Sequence, residues 1–206
     1  MRKYYMLTIK QTNLHKEKAV GSFFIDHPMP VHTCMLNVED NKIIEHFLKI
    51  KNTQESALDN ISGWTSDFNI HETQPIVLDL FKQIIKIYTK EICPIRGNPE
   101  SKSLTIDANM WFSEYLPEDY ADEHFHTCLP RISFVYYLDC EQDSSPLTFC
   151  QKHHLPYGEY KTVKEIDLEI KQGMCVFFPP FLYHKVAKTS SKRFVIAGNI
   201  LDVYGE

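Results

Sequence analysis

The chain has 206 residues, 43% hydrophobic, 13% aromatic and 24% charged, a composition that excludes an intrinsically disordered protein and suffices for one sizeable core without staples. A formal charge of −5 argues against a broad basic face for nucleic acid, because non-specific phosphate affinity rests on clustered Lys and Arg. No apolar run approaches the ~18 residues needed to cross a bilayer, and the first residues lack the apolar length and cleavage site of a signal peptide, so a soluble, cytoplasmic protein is expected.

Residues 1–29 are polar and without clear period, which reads as an irregular or weakly stranded lead-in. After Pro28 and Pro30 a short extended piece is expected over residues 31–36, followed by Asn37 as an N-cap with Glu39 and Asp40 in the first helical turn. Ile43, Ile44, Phe47, Leu48 and Ile50 give this helix one apolar side, against Lys42, Glu45, Lys49 and Lys51 on the other. A polar stretch containing Gly63-Trp64-Thr65-Ser66 leads to a second helix, with Thr73 as its cap and Pro75 in its first turn. There Ile76, Leu80, Ile84 and Tyr88 recur every four residues, and Val77, Phe81, Ile85 and Ile92 widen the stripe, so this helix should lie against a larger surface.

From residue 103 the helical period gives way to alternation, in runs over residues 104–115, 131–139, 147–150, 166–170, 174–178, 183–187 and 194–203. Helices followed by many strands with no helices between them predict a mainly β protein with flanking helices (α+β). Its core should be a sandwich or barrel-like jelly roll, with two or more N-terminal helices packed on one sheet. One domain is expected over 1–206, with 1–102 as helical buttress and lead-in and 103–206 as the β core. Six cysteines, at 34, 93, 128, 140, 150 and 175, form no Cys-x-x-Cys pair and read as reduced, partly buried thiols.

Three of the ten histidines stand where a metal site would need them. His124 and His126 share one side of an extended segment, and His184 arrives from a distant strand. Neutral imidazole suits Fe, Zn, Ni and Cu alike, so ligand type alone does not choose the metal. Arg193, nine residues after His184, has the planar fork that grips a carboxylate, and inside an apolar barrel it would need an anionic partner; alternatively it ends a strand at the surface. Ser133, Val135 and Tyr137 share a strand face that can look toward His124 and His126, although Tyr136 and Tyr137 read equally well as core. Trp64 and Trp111 read as packing residues.

Taken together these fragments resemble the iron(II)/2-oxoglutarate-dependent dioxygenases, and most closely a group of 2-oxoglutarate–Fe(II) oxygenases found in phages and marine bacteria. The resemblance rests on Gly63-Trp64-Thr65-Ser66, Trp111, Glu118-Asp119-Tyr120, His124-Phe125-His126, Ser133 to Leu138 (Ser-x-x-Tyr-Tyr-Leu), Phe178-Pro179 with His184, and Arg193 with Asn199, in matching order and spacing over residues 31–203. It implies a cupin-like double-stranded β-helix. It also implies that His124 and His184 ligate Fe(II), that Arg193 binds the distal carboxylate of 2-oxoglutarate with Tyr137 as hydroxyl partner, and that Ser133, Ser113 and Asn199 belong to the cosubstrate pocket. The chain departs from the pattern in three places: His126 stands where most of the superfamily has a carboxylate, Ser113 where the group has Asn, and Glu118 where it has Gly.

The metal set is therefore expected to be His124, His126 and His184, with Asp122 as a minority replacement for His126, and His153 and His154 on a loop near the mouth. The implied activity is hydroxylation of an unidentified substrate by O2, with release of succinate and CO2, the substrate entering near residues 113–123 and 150–163. No membrane or nucleic-acid partner is indicated, and a homodimer is left open. Two other classes compete: a cupin-like module that holds Zn(II) or Ni(II) without oxygenase activity, and a structural β-sandwich with surface histidines.

Overall fold

The computed structural model describes residues 5–8, 21–23, 30–93, 96–97, 103–126, 130–141, 143–154 and 160–205. In chain order the elements are β1 (Tyr5–Thr8), β2 (Gly21–Phe23), β3 (Val31–Met35), α1 (Asp40–Lys51), β4 (Trp64–Thr65), α2 (Ile70–Thr73), α3 (Leu78–Ile87), β5 (Arg96–Gly97), β6 (Ser103–Tyr115), β7 (Ala121–His124), β8 (Ile132–Cys140), β9 (Leu147–His154), β10 (Tyr160–Leu168), β11 (Met174–Phe178), β12 (Tyr183–Val186) and β13 (Arg193–Gly205).

The strands form two sheets. The larger has the order β1-β6-β13-β8-β11-β3-β2, with β4 added to β6 and β5 to β13; the smaller has the order β10-β9-β12-β7. From β6 onward the chain shuttles between them, placing β6, β8, β11 and β13 in the large sheet and β7, β9, β10 and β12 in the small one. This is the double-stranded β-helix. Among the described strands pairing is antiparallel apart from β5 with β13.

Alternation along the large-sheet strands sends side chains into two separate cores. Met110, Phe112, Phe134, Tyr136, Phe177 and Ile196 face the helices, where they meet Phe47 of α1 and Leu80, Phe81, Ile84 and Ile85 of α3. Their neighbours Tyr115, Tyr137, Val176, Phe178 and Val195 face the space between the sheets, where they meet Leu147 and Phe149 of β9. The adjacent tyrosines are thereby separated: Tyr136 donates from its hydroxyl to Asp40 at the start of α1 (2.9 Å), and Tyr137 is buried on the inner side.

Both helices differ from the sequence reading at their starts. α1 begins at Asp40 rather than after Asn37, and Glu39 at the N-cap makes no side-chain cap bond. Asp40 instead accepts from Tyr136 across the core. Thr73 does not cap the second helix: it ends α2, and its hydroxyl donates back to the Asn69 carbonyl (3.2 Å). Pro75 then opens a 3-10 turn, Pro75–Val77, with Gln74 ahead of it held extended, as a residue preceding proline prefers. α3 closes in a π turn, Tyr88–Ile92. In the first half of the chain, β3 pairs with β11 inside the large sheet. The five described cysteines, Cys34, Cys93, Cys140, Cys150 and Cys175, are free thiols; Cys128 lies outside the described residues. No described helix is long and apolar enough to cross a membrane.

Candidate metal centre

β7 and β12 run antiparallel in the small sheet, and their register makes His124 and His184 Cα partners. β7 ends at His124. The chain continues past it held by a backbone hydrogen bond from the His126 N–H to the Pro180 carbonyl (2.7 Å), so His126 still turns to the side that His124 faces while Phe125 is exposed. One nitrogen from each of the three imidazoles lies within 4.8 Å of the others, and the ring centroids are 4.2, 5.1 and 5.5 Å apart. Asp122 does not join them. Its side chain is exposed, and it is its backbone carbonyl that serves the site, accepting from His124 Nδ1 (2.6 Å).

Each imidazole is held through Nδ1. His184 Nδ1 meets the Leu182 carbonyl (2.9 Å) and His126 Nδ1 meets Asn199 Oδ1 (2.6 Å). Carbonyl and amide oxygens only accept, so each Nδ1 carries the proton and each Nε2 keeps a free lone pair, the tautomer a metal ligand requires. Burial keeps the rings neutral: it lowers the pKa of His124, pushes that of His126 down to about 4, and drives that of His184 well down, with the other two rings adding to the effect on His184.

The triad opens on a cavity of about 510 Å3, counting the part open to solvent, which lies between the sheets and is lined further along by Ser113, Tyr115, Tyr137 and Arg193. Arg193 opens β13 and is only 2% exposed. Its guanidinium carbon lies 4.4 Å from the Tyr115 ring centroid, and Nη1 donates to the Ser145 carbonyl (2.9 Å). Its Nε has no partner, and among the described residues no carboxylate pairs with it. A buried cation without a counter-ion is costly, so this position is suited to an anionic ligand. Burial raises the pKa of Tyr115 and Tyr137, with Arg193 opposing the shift in both, so these phenols remain protonated donors at neutral pH.

Two residues that line the same cavity carry buried donors without a partner, Ser113 Oγ and Trp111 Nε1. Trp111, Ser113 and Tyr115 occupy alternate positions of β6, so one strand face carries donors from beside His126, whose ring is 6.3 Å from that of Trp111, to beside Arg193. Trp111, which the sequence reading leaves as packing, is thus a wall of the site with an unmet N–H; parity with Ser113 is the signal that would have found it. The exposed Phe68 packs edge-on against Trp111 with centroids 5.3 Å apart. Ser133 and Asn199 are engaged at the metal end: both contact His126 Nδ1, and Ser133 Oγ donates to Asn199 Oδ1 (2.7 Å). His153 and His154 lie in strand β9 rather than on a loop, and His153 is exposed.

Three neutral nitrogen donors with free Nε2 lone pairs fit a divalent transition metal. The orphaned donors of Trp111, Ser113 and Arg193 along the remaining cavity fit an oxygen-rich anion beside it.

No family model matches the chain, and no curated protein matches its sequence. Solved structures do resemble it. A Pseudomonas putida prolyl-4-hydroxylase superposes with a TM-score of 0.55 at 15% identity, over 84% of this chain and 92% of that one. The viral collagen prolyl hydroxylase of Paramecium Bursaria Chlorella virus-1, in its 2-oxoglutarate complex, gives 0.56 at 11% identity over 84% and 95%. HygX of Streptomyces hygroscopicus, with nickel and 2-oxoglutarate bound, gives 0.56 at 9% identity over 84% and 82%. At such identities the likeness is one of fold.

Proposed function

We propose that the protein is an Fe(II)- and 2-oxoglutarate-dependent dioxygenase that hydroxylates a primary substrate. One observation carries this reading: three neutral imidazoles with free Nε2 lone pairs and a buried, anion-seeking Arg193 line a single cavity in a double-stranded β-helix. Neighbours that share the fold are described with 2-oxoglutarate bound, which supports this reading. His124, His126 and His184 would hold the metal. Arg193, Tyr137 and Ser113 would hold the dicarboxylate, with the guanidinium matching its distal carboxylate bidentately. When bound, Fe(II) and 2-oxoglutarate supply O2-dependent hydroxylation with release of succinate and CO2. The chain's own contribution is to leave part of the metal's coordination sphere open, to orient the dicarboxylate between two fixed ends, and to line the pocket with Leu147, Phe178, Val186 and Val195, which exclude water. A cytoplasmic location is part of the same proposal, supported by five unbridged cysteines among the described residues.

The test is anaerobic. Wild-type protein given Fe(II) and 2-oxoglutarate should develop the weak visible charge-transfer band of a chelated 2-oxo acid, and admission of O2 should convert 2-oxoglutarate to succinate. Protein that binds the metal yet neither develops the band nor retains 2-oxoglutarate is instead a cupin-like metal-binding module. The neutrality of the donor set gives that second reading its footing, because three imidazoles suit Zn(II) and Ni(II) as well as Fe(II).

A further inference from the structure

The third imidazole is oriented by a chain of hydrogen bonds whose direction is set at its far end by a backbone group. The Asn199 N–H is 3.1 Å from Asn109 Oδ1. A backbone N–H only donates, so the side-chain atom facing it must be the oxygen of Asn109, which fixes the orientation of that amide. The same Asn109 oxygen lies 2.8 Å from the side-chain amide of Asn199. Since that oxygen only accepts, Asn199 must turn Nδ2 toward it, and its Oδ1 therefore faces the other way. There it meets His126 Nδ1 at 2.6 Å and accepts from Ser133 Oγ at 2.7 Å. An amide oxygen only accepts, so the proton sits on His126 Nδ1 and the lone pair on Nε2. The register of the large sheet supports the chain: Asn199 of β13 is the Cα partner of Asn109 on β6 and of Ser133 on β8.

We infer that Asn109 is a positioning residue for the metal triad: acting through Asn199, it locks His126 in the tautomer that presents Nε2 to a divalent cation, and it thereby sets metal affinity without touching the metal. The inference rests on the metal-binding part of the function proposed above. It also accounts for histidine at position 126. The Asn199 oxygen, which already accepts from Ser133, also faces this position at hydrogen-bond distance; an imidazole meets it with a donor, an ionised carboxylate with a second acceptor. The second layer is thus matched to a neutral third ligand, and a His126→Asp substitution would set two acceptors against each other rather than create a two-histidine, one-carboxylate site. Partners that orient metal-bound histidines typically govern affinity by about tenfold to a hundredfold.

The full chain, titrated with Co(II) and followed by its ligand-field absorption, tests this. Asn109→Leu, close in size but without the acceptor, should weaken Co(II) binding about tenfold or more, with the thermal midpoint of the metal-free protein as a control for folding. Asn109→Asp keeps an acceptor oxygen at the same place and should restore most of the affinity. Long-range 1H–15N spectra of the histidine rings in metal-free protein supply a readout that general loosening would not move: wild type and Asn109→Asp should show His126 protonated at Nδ1, and Asn109→Leu a mixture of tautomers. The inference is overturned if Asn109→Leu binds Co(II) as tightly as wild type, if Asn109→Asp loses as much as Asn109→Leu, or if the His126 tautomer is the same in all three. Wild type that binds no Co(II) overturns the metal reading itself, and with it the claim about affinity.

Discussion

His124 and His184 are Cα partners across the β7–β12 ladder, with ring centroids 4.2 Å apart and both rings kept neutral by burial. Two imidazoles fixed this way by the sheet lose little further freedom on taking up a cation, and a ligand bound only by the folded state stabilises it by mass action. Ni(II) or Co(II) at about a hundred times its dissociation constant should therefore stabilise the protein by about 2.7 kcal/mol, a shift of about 5–10 °C for a chain of this size. His184→Ala should abolish the shift in a scanning-calorimetry trace. An equal shift in that variant would mean the metal binds elsewhere.

Arg193 predicts opposite signs for stability and binding. The residue is 2% exposed, and its guanidinium has one donated bond to the Ser145 carbonyl, a face on Tyr115 and an unpartnered Nε. Replacing a buried charge that lacks a counter-ion by an apolar side chain of similar length is often neutral or stabilising. Arg193→Met should leave the urea midpoint of the ligand-free protein unchanged or raised, while 2-oxoglutarate affinity measured by calorimetry falls at least a hundredfold, since charge-assisted bidentate bonds are each worth about 1.5–3 kcal/mol. A large loss of stability with affinity retained would place the guanidinium in a purely structural role.

The two tryptophans of the chain should report differently on ligand. Trp64 already donates from Nε1 to the Gln54 carbonyl (3.1 Å), whereas Trp111 Nε1 is buried in the cavity wall without an acceptor. Binding of 2-oxoglutarate to the Ni(II)-loaded protein should change the intrinsic fluorescence of wild type and of Trp64→Phe, and the change should vanish in Trp111→Phe. The last variant should also bind 2-oxoglutarate about five- to tenfold more weakly, the worth of one hydrogen bond. A ligand-induced change that persists in Trp111→Phe would remove this indole from the ligand's surroundings.

Gly63 has a physical reason to be glycine. A Cβ added there would lie 2.2 Å from the Glu114 backbone oxygen, and backbone in a sheet cannot step aside. The neighbouring β4 pairs Trp64 with Glu114 and Thr65 with Ser113 of β6, so Gly63→Ala should push β4 off the strand that carries Ser113. A loss of about 2–4 kcal/mol by urea denaturation is expected, in the range of backbone and overpacking effects; an effect below about 0.5 kcal/mol would show that β4 is not held against β6 at this point.

Alternation and spacing reveal much of the site because side-chain parity in a strand is a local property. The His124/His126 pair, the inward face through Tyr137, and the runs that become β6, β8, β11 and β13 follow from period two alone. What parity cannot show is which donor meets which acceptor. Ser133 and Asn199 fall on the expected inner face, yet both are engaged by His126, a pairing that depends on the register of β13 against β6 and β8. Trp111 shares the face of Ser113, but only the assembled cavity shows that its N–H lacks a partner. Asn109 carries no local signal, because its role runs through a residue 90 positions away in sequence. At the start of the first helix Asp40 is likewise bonded to Tyr136, a contact 96 positions distant that no local pattern shows.

Acid should destabilise the fold through His71 as well as through the triad. The His71 side chain is 6% exposed, packs against Phe81 with ring centroids 4.7 Å apart, leaves Nδ1 without a partner, and has a Glu72 carboxylate oxygen 3.7 Å from Nε2. Burial pushes its pKa from 6.5 down to about 4. Below pH 6.5 the unfolded chain therefore takes up a proton that the folded chain refuses until about pH 4, so stability is fully present above the unfolded value and is lost progressively as pH falls through this window. For His71 the loss between pH 7 and pH 5 amounts to about 2 kcal/mol. The triad histidines act with the same sign, so the measurement is a difference: urea denaturation of wild type and His71→Leu at both pH values, in metal-free protein. The variant should lose about 2 kcal/mol less than wild type over that interval. Parallel losses in the two proteins would show that His71 is protonated as readily in the folded state as in the unfolded chain, and would assign the acid sensitivity to other groups.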